Sequence, residues 1–177
     1  MIAIELLKLE ILSKSVLKER VILASGGIAD YYIDLRRVTL SSPSASLVGE
    51  VMLELTKDLD YEAVGGLTLG ADPVATAMMH VAAKNGKKID AFVVRKTEKA
   101  HGLQRRIEGP DVRGRKVLVV EDTSTTGNSV LTAVEALKEA GAIVVGVAVV
   151  VERGARANVE SEGLTYFAAY QLSDLGI

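Results

Sequence analysis

The stretch Val117-Leu118-Val119-Val120-Glu121-Asp122-Thr123-Ser124-Thr125-Thr126-Gly127-Asn128-Ser129 constrains the fold more than any other part of the chain. An apolar β-forming run ends directly in two adjacent carboxylates. A turn rich in hydroxyl groups with one glycine follows, and then Val130, Ala133, Val134 and Leu137 recur at helical spacing as far as Gly141. A strand with no polar alternation must be covered on both faces, which parallel sheets achieve with helices. Ile143–Val151 is a second strand of the same kind.

The remaining pattern agrees with an α/β chain joined by right-handed crossovers. Ile2, Leu6, Leu9 and Val16 predict an amphipathic, packing helix over 2–18. Ser42-Pro43 reads as an N-cap followed by a first-turn proline, ahead of the apolar stripe Leu47, Val48, Val51, Met52 and Leu55. Strands are expected at Ala63–Leu67, Ala91–Arg95 and Lys116–Val120, a helix at Pro73–Lys84 and another at Asn128–Ala140, with a short helix and the strand Thr165–Ala169 closing the chain. In such sheets ligands gather beyond the carboxyl ends of strands, so the loops after Leu67, Arg95, Val120 and Val151 are where chemistry is sought.

Composition narrows the function classes. With 49% hydrophobic residues, no cysteine and a formal net charge of −2, the chain is neither disordered nor a disulfide scaffold. A single domain over 1–177 is expected. The longest apolar run is too short for the ~20 residues of a membrane span, and acidic and basic residues interrupt the N-terminal leucines, so no membrane partner and a cytoplasmic location are expected. The near balance of charges gives no reason to expect a nucleic-acid partner.

A helix start offers unpaired amides and a positive dipole end, and hydroxyl side chains add donors, so 123–129 suits a phosphate monoester. Glu121 and Asp122 ahead of it can accept hydrogen bonds from ribose hydroxyls or hold hydrated magnesium through water. Capping alone would need only one such residue. Neither G-x-x-x-x-G-K-[ST] nor G-x-G-x-x-G occurs, which weakens nucleoside-triphosphate and dinucleotide readings.

This run resembles the phosphoribosyl-diphosphate signature of type I phosphoribosyltransferases, and the other loops resemble the orotate branch of that family. The resemblance implies a central, mostly parallel sheet flanked by helices, with a small hood near 1–40 and 153–177 over the base site. It implies that Glu121 and Asp122 contact the ribose, and that Thr123, Ser124, Thr125, Thr126, Gly127, Asn128 and Ser129 hold the 5-phosphate. Magnesium is the implied cofactor, with no direct protein ligand or with Glu121 and Asp122 acting through water.

Arg95-Lys96-Thr97-Glu98-Lys99-Ala100-His101-Gly102 is by itself a charged surface loop, able to close over polyanions. Its order is similar to the catalytic loop of the orotate branch, which implies substrate contacts for Arg95, Lys96, Lys99 and His101. Catalytic roles then fall to Lys99, His101 and Asp122, in a homodimer with shared sites. Thr68, Leu69, Gly70 and Ala71 occupy the position of the family's pyrophosphate loop, where Leu69 stands near a lysine of some relatives. His80, in the helix beyond, reads as a packing residue.

Ser25-Gly26 and the pair Tyr31-Tyr32 resemble the orotate-binding segment, although adjacent tyrosines on a strand are also consistent with one packing while the other faces a ligand. Relatives place a lysine before that serine. Here the residue is Ala24, and Arg36 or Arg37 is a candidate for restoring the charge on the orotate side. Arg153, after the strand ending at Glu152, can grip a carboxylate bidentately or pair with Glu152. The resemblance assigns it, with Thr125, to the orotate carboxylate and ring. The implied activity is transfer of the 5-phosphoribosyl group from phosphoribosyl diphosphate to orotate, in pyrimidine nucleotide (UMP) biosynthesis. The competing readings are transfer to another base and a non-catalytic nucleotide-sensing regulator of the same fold.

Overall fold

The structure is a computed structural model that describes residues 2–17, 21–22, 28–29, 31–97 and 106–177. Helix α1 (Ile2–Lys14) leads through the two-residue strands β1 (Val16–Leu17), β2 (Val21–Ile22), β3 (Ile28–Ala29) and β4 (Tyr32–Ile33) and the short helix α2 (Arg36–Thr39) into α3 (Ser42–Leu55). There follow β5 (Ala63–Leu67), α4 (Ala71–Lys84), β6 (Asp90–Val94), β7 (Ile107–Glu108), β8 (Lys116–Ser124), α5 (Asn128–Glu139), β9 (Ile143–Glu152), α6 (Arg156–Ser161), β10 (Tyr166–Gln171) and a 3-10 turn at Leu172–Leu175.

Strands β10, β9, β8, β5, β6 and β7 form one sheet in that order, parallel throughout except for the antiparallel β6–β7 edge. The mostly parallel sheet expected from the sequence is therefore present. Its apolar strands feed two cores because successive side chains point to opposite faces. Leu118, Val120, Ala148 and Val150 join α1, α3 and α4 on one face, and Val117, Val119, Val147 and Val149 meet α5 on the other. Each such fully buried Val or Leu contributes about 1.5–3 kcal/mol. The sheet centre has no room for larger residues: a Cβ on Gly66 would lie 2.2 Å from the Val120 carbonyl oxygen and 2.7 Å from the Ala71 Cβ. This close approach draws the start of α4 down onto the sheet.

Four expectations need correction. β8 does not stop at Val120 but runs on to Ser124, because β9 continues beside it and pairs Glu121 with Val149, Thr123 with Val151 and Ser124 with Glu152. The acid pair is therefore strand, and only 125–127 is turn. In α1 the buried face is Leu7 and Ile11, whereas Ile2, Leu6 and Leu9 are exposed, since apolar residues surround that helix and spacing alone does not choose a face. The residue flanking α3 as its N-cap is Ser41, with Ser42 already helical. Its hydroxyl accepts from Lys14 Nζ at 3.0 Å, while Lys14 also pairs with Glu10. His80 is exposed rather than packed, on the open side of α4.

Among the described residues no helix is long and apolar enough to cross a membrane. Segment 31–36 lies outside the six-stranded sheet, and its β4 pairs with β1 in a separate two-stranded sheet, Ile33 opposite Val16.

Candidate active site

A cavity of about 290 Å³ opens at the carboxyl ends of β5 and β8, bounded by loop 67–70, Glu121–Thr123, Ser129, Lys96 and the segment 32–36. It lies where the topology predicts a ligand.

Strand pairing carries Glu121 into a nearly dry position, 6% exposed, with Asp122 beside it at the rim. The Asp122 amide donates to Glu121 Oε1 at 3.1 Å, and the Thr123 amide to Asp122 Oδ1 at 2.6 Å. Burial, reinforced by the neighbouring Asp122 charge, pushes the Glu121 carboxyl up to about 8. Gly70 is packed against both acids: a Cβ there would sit 2.2 Å from Glu121 Oε1 and 2.6 Å from Asp122 Oδ1. A side chain at position 70 and the present acid geometry cannot coexist.

Beyond Ser124 the chain turns through Thr125 and Thr126 to Gly127, whose φ of +83° is a left-handed conformation that glycine adopts without penalty. No side chain caps α5. Asn158 Nδ2 holds the turn from outside by donating to the Thr126 carbonyl at 2.7 Å, and Thr126 Oγ1 accepts from the Asn128 amide at 3.3 Å. Thr125, Thr126, Asn128 and Ser129 are exposed while Ser124 is buried, so the start of α5 and the hydroxyls around it face outward, where an anion can reach them.

In the facing loop the Thr68 amide donates to Val94 O at 2.9 Å and Thr68 Oγ1 to Asp72 Oδ2 at 2.7 Å. The other Asp72 oxygen is buried without a partner, and burial raises its pKa. The Thr68–Leu69 peptide is cis, and Leu69 is exposed.

Of the basic loop, Lys96 lines the cavity. Arg95 does not; it pairs with Glu108 at 3.3 Å across the β6–β7 edge. Lys99, His101 and Ser25, like Ala24, lie outside the described residues. Tyr32 lines the cavity, whereas Tyr31 packs on the core, as alternation along a strand requires. Arg153 does not pair with Glu152, which is engaged instead by Arg156 at 3.7 Å and by the Gly154 amide at 2.8 Å. The Arg153 amide donates to Ser124 O at 2.8 Å, fixing it beside the 125–127 turn, and its Nε is buried with no hydrogen-bond partner.

One cavity residue, Asp34, received no such position from the sequence, and Arg36, a candidate there for the orotate side, lines the cavity together with loop 67–70. The signal was the alternation itself: Ile33 and Leu35 are buried, so Tyr32, Asp34 and Arg36 share the opposite side.

A family model described as phosphoribosyl transferase domain matches residues 63–167. The chain is 61% identical to the orotate phosphoribosyltransferase of Streptomyces avermitilis over 171 residues, covering 95% of this chain and 94% of that one. It superposes on the crystal structure of the Mycobacterium tuberculosis enzyme of that name in complex with Fe(III) dicitrate with a TM-score of 0.90, at 56% identity and 99% coverage of both chains. The complex of the same enzyme with 5-phospho-alpha-D-ribosyl 1-diphosphate gives 0.86, at 51% identity and 99% coverage of both. The motif at 117–129, the cavity above it and these likenesses agree: the chain belongs to the phosphoribosyl transferase family, in its orotate phosphoribosyltransferase branch.

Proposed function

We propose that the cavity between loop 67–70, the Glu121–Ser129 rim and segment 32–36 transfers a 5-phosphoribosyl group from phosphoribosyl diphosphate to orotate. The orotate ring nitrogen forms a bond to the anomeric carbon as the bond to the diphosphate oxygen breaks, giving orotidine 5-phosphate and pyrophosphate. The observation that carries the reading is the joining of an acid pair, Glu121 buried and Asp122 at the rim, to an exposed helix start on one cavity wall.

Glu121 and Asp122 accept hydrogen bonds from the ribose hydroxyls and fix the ring. The amides and hydroxyls of 125–129 hold the 5-phosphate, and the backbone of 68–71 receives the diphosphate. Lys96, together with Lys99 and His101 of the basic loop, stabilises charge on the departing oxygens and excludes water, while Arg95 stays paired with Glu108 at the base of that loop. Transfer by direct displacement needs no nucleophile from the protein, so positioning and charge carry the catalysis. Arg153 and Thr125 take the orotate carboxylate and ring edge. A buried guanidinium nitrogen without a partner supports this for Arg153, because leaving such a donor unpaired is costly. Tyr32 faces the ring, Tyr31 backs it, and Ser25 completes the base site.

The acid pair fits magnesium, a hard cation that keeps most of its waters and takes one or two carboxylates together with substrate phosphates. Such an ion supplies positive charge to the diphosphate. We read the working form as a cytoplasmic homodimer. Its support is an apolar groove of about 740 Å³ between α3 and α4, contiguous with the site through Leu69 and Arg36 and edged by Leu40, which is 72% exposed. A Leu40→Glu substitution is expected to shift sedimentation to the monomer; an unchanged wild-type dimer would move the interface elsewhere.

The decisive experiment is magnesium-dependent pyrophosphate release with orotate, uracil, adenine, guanine and hypoxanthine offered separately. Release with orotate alone is expected. Release with another base overturns the base assignment, and none with any base overturns the catalytic reading.

A further inference from the structure

Lining the cavity are three described carboxylates, Asp34, Glu121 and Asp122, and two described cations, Lys96 and Arg36. The loop Thr68-Leu69-Gly70-Ala71-Asp72-Pro73 carries no cation of its own. A diphosphate lying on that loop therefore needs positive charge from another element.

Arg36 is placed to give it. It borders both the 290 Å³ cavity and the neighbouring 740 Å³ groove, and Leu69 lines both with it. Its Nε donates to Asp34 Oδ1 at 2.9 Å, and the Arg36 amide donates to the same oxygen at 3.3 Å. One edge of the guanidinium is thus fixed by its own turn. Among the described residues neither Nη is engaged, so the outer edge presents two parallel donors, the geometry that phosphate oxygens accept bidentately. Asp34 above all, and more weakly Tyr32 and Asp122, raise the pKa of this group, which is charged throughout the physiological range in any case.

We propose that Arg36, oriented by Asp34, is a diphosphate-binding residue that grips the leaving pyrophosphate over the 68–70 loop. The inference rests on the proposed phosphoribosyl transfer and adds a residue to it. Arg36 touches the leaving group, and Asp34 is the positioning residue that presents its free edge. The geometry serves the diphosphate rather than the orotate carboxylate, because Arg36 shares its cavities with the 68–70 loop while Arg153 stands beside the 125–127 turn.

The test uses the full-length protein with magnesium and two probes that need no base, phosphoribosyl diphosphate and inorganic pyrophosphate, with binding read by calorimetry. Arg36→Gln is expected to weaken both by roughly tenfold to a hundredfold, the loss typical of a charge-assisted contact, with the KM for orotate within about twofold of wild type. Arg36→Lys should recover part of the loss, since it keeps the charge but not the fork. Asp34→Asn should weaken pyrophosphate less than Arg36→Gln does. Adding Leu69→Lys to Arg36→Gln should restore much of the binding, a rescue that a damaged fold would not allow. Unchanged pyrophosphate affinity in Arg36→Gln overturns the proposal, as does a selective loss of orotate affinity. If the wild-type protein releases no pyrophosphate with orotate while Arg36→Gln still loses pyrophosphate binding, the activity reading fails and this one stands.

Discussion

The site has two walls built in different ways. Glu121 to Ser124 are the last residues of a nine-residue strand, paired in register with β9 and standing above two packed cores. Tyr32 to Arg36 hang on a two-residue strand outside the main sheet, and their charged residues are ordered by a local turn and one ion pair. On the first wall, burial tunes the chemistry: Glu121 is dry and its carboxyl resists ionisation. On the second, Arg36 is half exposed, so its electrostatics depend on a neighbour and are open to screening by salt. The carboxyl end of an interior strand can hold an acid at fixed geometry and keep it dry, whereas a surface segment must supply a partner for each charge it presents.

The largest effect should come from forcing the first wall to move. Gly70→Ala places a methyl group 2.2 Å from the Glu121 carboxylate, and backbone conformation gives no relief because Gly70 already has ordinary helical angles. Displacing a substrate-orienting group by about 1 Å costs on the order of a hundredfold in rate, and kcat/KM for phosphoribosyl diphosphate is expected to fall by about that factor. Wild-type kinetics in Gly70→Ala would mean that the acid pair yields as easily as the second wall, and the contrast would be lost.

A middle-sized effect is expected at Arg153, which the first wall carries next to the phosphate turn. Arg153→Ala should raise the KM for orotate by roughly tenfold to a hundredfold while leaving phosphoribosyl-diphosphate binding nearly intact. Equal losses for both substrates would mean that this side chain supports the turn instead of reading the base. Together with the Arg36 series, this assigns one guanidinium to each end of the reaction.

Much of the first wall was legible in the sequence, and the reason is physical. An apolar strand running into carboxylates and a hydroxyl-rich turn is a local pattern, and register with β9 preserves it in the fold. What the sequence left open depended on partners distant along the chain. The strand continues through Glu121 and Asp122 only because β9 lies alongside them, and the tight fit at Gly70 arises from residues about fifty positions away. Helix α1 misled because its apolar residues are spread round the axis among Glu5, Lys8, Glu10 and Lys14, so the choice between the Leu7–Ile11 face and the Ile2–Leu6–Leu9 face was made by α3 and the sheet. His80 misled for the opposite reason: its Met and Ala neighbours look like core, yet it stands on the groove side of α4. The second wall was half legible, since alternation through Tyr32, Asp34 and Arg36 was present but too short to weigh without Ile33 and Leu35 known to be buried.

The most gradual effect, small for each step of pH and the one that bears most directly on how the first wall is tuned, is in the pH dependence of stability. The Glu121 carboxyl is raised from 4.5 to about 8 in the folded chain. Between those values the unfolded chain has released this proton and the folded chain still holds it, so the folded state binds more protons and stability must fall as pH rises. The loss begins above pH 4.5 and is complete near pH 8, with a slope of at most about 1.4 kcal/mol for each pH unit. Burial raises the Asp72 carboxyl as well, which adds to the decline just above its ordinary value of 3.8. Urea midpoints of the metal-free protein across this window should decline for wild type and flatten in Glu121→Gln, which keeps the shape of the side chain and removes its ionisation. A wild-type profile already flat would mean that water reaches Glu121, and the two walls would then differ in geometry alone.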